Sequence, residues 1–231
     1  MPKKKKRSHI HVILLHGLFK RHSHLRTMEK AFKKAGFTVT NVDYPSKIAS
    51  IEELATHYLK PAIEESVSDE IILVGYSMGG LLVRAYLAGS EVDYRINKVL
   101  MIATPNKGTE IVDFVERIPL LRSIYAKFYG KSTRTLGMKT PLTERWHLPE
   151  GIVYGVIAGN RASDFFLGKH MVEKPNDGVV SVESTKLPVE HQHTVLPLSH
   201  SFMTKNNQVI KQALYFAKRG AFKRLKDTQD V

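Results

Sequence analysis

The chain has 231 residues, enough for one domain with a substantial core and too few for two of ordinary size. Its 42% hydrophobic content excludes a disordered polymer, and no apolar run approaches the roughly 18 residues a membrane-spanning helix needs. It holds no cysteine, which excludes disulfides, thiolate metal sites and a thiol nucleophile, and its 35 Lys and Arg against 22 Asp and Glu give a formal charge of +13.

Part of that charge sits at the ends. Residues 1–8, containing PKKKKR, read as a basic tail ahead of a single domain over 9–231. The apolar stretch that follows, Ile10 to Leu15, is short, carries His11 and lacks a small-residue cleavage site, so no secretory signal is expected. A cytoplasmic location is the expectation, with peripheral attachment to membrane as the alternative. Lys218 to Lys226 adds a second basic run, with Phe216, Phe222 and Leu225 among its cations. Such ends suit an anionic membrane surface or an acidic protein as partner. Specific nucleic-acid binding is not expected, because no aromatics interleave with the cations for base stacking. A packed amphipathic helix with a charged tail is the simpler reading of the C-terminal run.

Strand-length apolar runs alternate with helical patterns along the chain. The strands are expected at Ile10–Leu15, Thr38–Val42, Ile71–Val74, Lys98–Ile102, Ile152–Ala158 and Thr194–Leu196. Most are apolar on both faces, as in a parallel sheet covered by helices above and below. Leu25, Met28 and Phe32 recur at helical spacing, with Gly36 placed to cap the C-terminus. Ser50-Ile51-Glu52-Glu53 resembles a capping box, opening a helix through Leu54, Tyr58 and Ile63 with a bend expected at Pro61. The fold class is therefore α/β: a three-layer α/β/α sandwich with a mostly parallel sheet of about six strands and right-handed crossovers. Residues 106–150 show no strand pattern but an apolar helical face that includes Phe114 and Ile118, and they read either as a cap or lid insertion or as segments packed onto the domain.

The segment IILVGYSMGG raises the chemical question. An apolar strand runs into Ser77, which is flanked by Gly75 and Gly79, and a helical pattern follows. Gly-x-Ser-x-Gly between a strand and a helix is the nucleophile-elbow pattern, in which a tight turn lifts the hydroxyl beyond the C-terminal edge of the sheet. Its plain alternative is a helix-capping serine. A serine hydroxyl needs a base, and His200 follows the last apolar run in a short polar loop, whereas His191 and His193 precede that run. The acid that orients such an imidazole should follow the fifth strand, and Asp177 in NDGVVSVES fits, with Asn176 and Gly178 allowing a tight turn. Asp164 is the rival and Glu183 a more distant one. An oxyanion hole would use the N–H of Met78 and that of Leu18, which lies in the loop His16-Gly17-Leu18 after the first strand. His16, Gly17, Phe19, Tyr76, Phe114 and Ile118 are the candidates for pocket or cap.

Three His-x-His pairs (9/11, 22/24 and 191/193) raise a metal site, but none has a carboxylate or third histidine at ligand spacing, so neither metal nor other cofactor is expected. A non-catalytic binding protein of the same fold is the remaining reading.

The blocks VILLHGL, VGYSMGGLLVRAYL, ATPNKGTE, NDGVVSVES and LSHSFMTKNNQVI resemble, in order, those of the α/β-hydrolase superfamily, and within it the bacterial lipase-like serine esterases. The resemblance implies an acyl-enzyme on Ser77, a Ser-Asp-His triad with Asp177 and His200, and a lid after Thr104-Pro105. It also brings in acyltransferases and lipid deacylases of the same fold, and calcium-binding relatives. Around Asp177 no carboxylate cluster supports calcium.

Overall fold

The structure is a computed structural model, and it describes residues 9–108, 146–162 and 172–224. Its strands are β1 (Ile10–Leu15), β2 (Thr38–Val42), β3 (Glu70–Tyr76), β4 (Ile96–Ile102), β5 (Val153–Gly159) and β6 (Gln192–Leu196). They form one six-stranded sheet in the order β2-β1-β3-β4-β5-β6, and every neighbouring pair is parallel. The expected strands are all present. β3 is longer than its apolar run because the ladder to β4 continues through Gly75 and Tyr76 to the edge of the elbow.

Five α-helices are described: α1 (Arg26–Lys34), α2 (Ile51–Leu54), α3 (Lys60–Glu64), α4 (Met78–Leu87) and α5 (Asn207–Arg219). The sheet's alternating side chains divide the core in two. Ile13, Leu15, Leu73, Val99 and Met101 face α2, α3 and α4. Val12, Leu14, Ile72, Val74, Leu100 and Ile102 face α1 and α5. All of these side chains are buried, and each contributes roughly 1.5–3 kcal/mol relative to exposure. This is why the central strands are apolar on both sides.

Local sequence signals act as expected. Helix α1 ends in a Schellman motif, with Gly36 at φ +90°, its N–H on Lys33 O, and Phe37 N–H on Phe32 O. The accompanying apolar contact is the Phe32–Phe37 edge-to-face pair at 5.5 Å. Ser50 and Glu53 make both bonds of the capping box. Between α2 and α3 the residues Ala55–Leu59 adopt a π-helix. Pro61 has no N–H to return to the preceding turn, so the helix before it widens instead.

Within the described residues, the apolar groups of the C-terminal run pack onto the fold. Phe216 is fully buried, Phe222 stacks near it at 5.3 Å, and the Gln212 side chain makes two hydrogen bonds to the backbone of Lys223. Leu225, most of the expected cap at 106–150 (with Phe114 and Ile118), the basic tail and Asp164 all lie outside the described residues.

Candidate active site

Ser77 occupies the turn between β3 and α4 with φ +53° and ψ −122°, a conformation costly for any residue with a Cβ. Its neighbours hold it there. Its N–H donates to Ile102 O at 2.8 Å, anchoring the turn to β4. A Cβ at Gly75 would lie 2.4 Å from Gly80 Cα, and one at Gly79 would lie 2.3 Å from Leu15 O. Only glycine permits strand and helix to approach so closely. As the first residue of α4, Met78 has an N–H with no intrahelical acceptor.

His200 opens the 3₁₀ segment His200–Lys205 that follows β6. Its N–H donates to Asp177 O at 3.0 Å, so main chain as well as side chain ties the two loops together. The Nδ1–Asp177 Oδ2 distance is 2.8 Å and the Nε2–Ser77 Oγ distance is 3.0 Å. With the carboxylate ionised, Nδ1 carries the proton and Nε2 is left to accept from the serine hydroxyl. Asp177 is 1% exposed, and its other oxygen, Oδ1, accepts the N–H groups of Val179 (3.0 Å) and Val180 (2.8 Å). Gly178, at φ +96°, makes that tight turn possible, and its N–H caps onto Asn176 Oδ1 at 2.9 Å. The distant rival Glu183 is engaged elsewhere: bonds to Lys107 and Lys186 hold its carboxyl low, at about 2.

The loop after β1 lies directly against the serine. A Cβ at Gly17 would be 3.1 Å from both Ser77 Cβ and the Tyr76 ring. His16 is fully buried and stacks on Tyr44 at 4.0 Å. Its Nδ1–H donates to Gly17 O (2.9 Å), and its Nε2 accepts the Tyr44 N–H (3.3 Å). The Tyr44 hydroxyl donates in turn to His16 O. Burial pulls the His16 pKa down, opposed by the Gly17 bond and Asp43, so the ring stays neutral. The Lys20 N–H closes a turn onto Gly17 O at 3.2 Å. Phe19 stands at that turn with φ +59°, its N–H bonded to Ser46 Oγ, and is 46% exposed.

Tyr76 is buried beneath the site and donates its hydroxyl to His200 O at 3.0 Å. Burial, with the nearby Asp177 charge, pushes that hydroxyl's pKa upward. The structure therefore brings together Ser77, Asp177, His200, His16, Gly17 and Tyr76, with Leu18 and Phe19 in the loop after β1 and Met78 at the start of α4.

Two further buried residues, His24 and Arg84, make contacts that the sequence did not signal. His24 packs on Tyr76 at 5.3 Å, and burial, followed by Lys20 and Lys205, pulls its pKa to about 4. Arg84, fully buried on α4, donates to the carbonyls of Asn106 and Trp146. Both contacts join segments too distant in sequence for a local pattern to register.

Among the described residues no group of three or more His, Asp or Glu is placed to hold a metal. The His-x-His pairs are engaged otherwise: His11 bonds Ser66 and Thr40, His22 pairs with Asp43, and His193 bonds Thr185. No described helix is long and apolar enough to cross a membrane.

Comparisons with known proteins agree with this architecture. No curated protein matches the chain. Among solved structures, the mature lipase BlEst2 of Bacillus licheniformis superposes with a TM-score of 0.72 at 19% identity, covering 94% of each chain. The metagenomic carboxyl esterase MGS0156 gives 0.68 at 16% identity, covering 93% of this chain and 76% of that one. Phospholipase PlaB of Legionella pneumophila gives 0.61 at 17% identity, with 92% of this chain spanning 57% of PlaB. At such identities the likeness establishes the α/β-hydrolase fold. A family model, palmitoyl protein thioesterase, matches residues 11–146, which include the elbow and stop short of Asp177 and His200. Matched over more than half its length, the chain belongs to the palmitoyl protein thioesterase family, a hydrolase of the lipase, esterase and thioesterase type.

Proposed function

We propose that the protein hydrolyses acyl esters, oxygen esters or thioesters, of moderate to large apolar content through an acyl-enzyme on Ser77. One observation carries the reading: the unbroken chain Ser77 Oγ–His200 Nε2 (3.0 Å) and His200 Nδ1–Asp177 Oδ2 (2.8 Å), mounted on a strained turn. In this scheme His200 takes the Ser77 proton as Oγ attacks the acyl carbonyl. Asp177 holds the ring's tautomer and stabilises the imidazolium. The tetrahedral oxyanion is met by the N–H groups of Met78 and Leu18. Each such donor is worth roughly 3–4 kcal/mol in the transition state. His200 then passes its proton to the departing alcohol or thiol. Water, deprotonated by the same ring, releases the acid and restores the serine.

The thioester form of the substrate is favoured by the family match over residues 11–146. A thiolate is a better leaving group than an alkoxide, so the same machinery accepts it without change. Labelling by a serine-reactive phosphonate tests the mechanism. Adduct at Ser77 that vanishes in Ser77→Ala is expected, and a protein that hydrolyses acyl esters yet resists the probe would overturn it. Parallel rates on p-nitrophenyl esters and acyl-thioesters of increasing chain length resolve the substrate class.

A further inference from the structure

In a parallel sheet all strands end on one edge, and that edge carries Ser77. The loops around it expose large apolar side chains: Phe19 (46% exposed) after β1, Ile48 (70%) after β2 and Phe202 (60%) after β6. These loops are spatially continuous. The Lys47 amino group lies over the Phe19 ring at 5.7 Å, and Phe19 and Ile48 line one cleft. The 3₁₀ segment His200–Lys205 packs against its counterpart His22–Leu25, and Lys20 and Lys205 both bear on His24 between them. The rim thus mixes three exposed apolar groups with Lys20, Lys47 and Lys205.

The opposite edge differs. It exposes Val67, Tyr94 and Val153, but the loops entering β3, β4 and β5 there carry Glu65, Asp69, Glu91, Asp93 and Glu150. Both basic termini join the fold on that side. The N-terminal run leads into Ile10 at the start of β1. Helix α5 ends at Gly220, where a Cβ would lie 3.4 Å from Val153 at the start of β5.

We infer that the edge bearing Ser77 docks on an anionic lipid bilayer through Phe19, Ile48 and Phe202, with Lys20, Lys47 and Lys205 meeting the headgroups, so that the acyl substrate is taken from the bilayer. Apolar side chains that enter the acyl boundary, ringed by cations whose stems reach outward, match such a surface better than they match an acidic protein. What the docking serves rests on the acyl-hydrolase reading; the docking itself does not.

The absence of cysteine makes the orientation directly measurable. Full-length Ser77→Ala protein, which separates docking from turnover, is labelled with an environment-sensitive fluorophore at Phe202→Cys or, separately, at Val67→Cys. Each is mixed with phosphatidylcholine vesicles with or without phosphatidylserine. Blue-shifted, enhanced emission is expected at position 202 with the anionic vesicles, while position 67 stays silent. Adding Lys47→Glu and Lys205→Glu should then weaken the apparent vesicle affinity by about tenfold or more. A response at 67, at both positions or at neither overturns the inference, as does a response at 202 to polyglutamate but not to vesicles. If the phosphonate test fails while position 202 responds, the hydrolase reading falls and the docking surface stands.

Discussion

Gly75 and Gly80 lie back to back across the elbow, so close that a methyl group on the first would meet the backbone of the second at 2.4 Å. Backbone on both sides leaves no flexible side chain to yield. Gly75→Ala should therefore cost at least 1–3 kcal/mol, roughly the range for overpacked sites, and lower activity with it. Gly151→Ala is the control: its φ of +80° strains alanine, but nothing lies within 4 Å, so only about 1 kcal/mol should be lost. Urea midpoints of the two variants give the comparison, and equal losses would refute the close-packing account.

Ser77→Ala should lower kcat by roughly 10⁴–10⁶ with little change in folding. Asp177→Asn is more informative. The amide oxygen would take over the bonds from Val179 and Val180, leaving the NH₂ facing His200 Nδ1. The ring would then present Nε2–H to the serine, the wrong tautomer, at a cost of about 10⁴ in kcat. Near-wild-type kcat in Asp177→Asn would remove Asp177 from the proposed mechanism.

The His16 ring acts on the proposed oxyanion donor at one remove. In a planar trans peptide, the Gly17 carbonyl and the Leu18 N–H point in opposite directions. Because His16 Nδ1–H and the Lys20 N–H both hold that carbonyl, they fix where Leu18 N–H is aimed. His16→Ala should lower kcat while leaving KM nearly unchanged, by no more than the roughly 10²–10³ of a lost donor. His16→Asn, which can still donate to Gly17 O, should recover part of the loss. A change confined to KM would contradict this geometry.

Most of the fold was legible in the sequence because its signals are local. Two-sided apolar runs gave the strands, Gly36 the end of α1, and Ser50 with Glu53 the start of α2. Ser77, Asp177 and His200 were legible as candidates because each follows a strand in a short segment with its own residue chemistry. Tertiary contacts were not. Gly80 touches Thr104, where a Cβ would sit 2.0 Å from Oγ1. The buried guanidinium of Arg84 reaches Trp146, 62 residues away. Such contacts are set by packing between segments, which periodicity does not encode.

Burial depresses the pKa of His11, His16, His24 and His193, the last two to about 4. In the unfolded chain these rings regain the ordinary value of 6.5. Below that value the unfolded state binds protons that the folded state refuses, so stability is full above it and falls as pH drops toward about 4. Urea midpoints across this window should decline steeply. Replacing His24 and His193 with Gln should flatten the decline, and an unchanged slope would show that these rings do not drive it.

The order of residues along the chain also sets when the candidate triad can assemble during synthesis. β3 is central and early, while the imidazole arrives 123 residues after the hydroxyl and is set in place by a loop leaving the edge strand β6. A nascent chain can complete β1 to β4 and display its serine with no proton acceptor beside it. Under the proposed mechanism, Ser77 gains its base only once the loop after the last strand is in place.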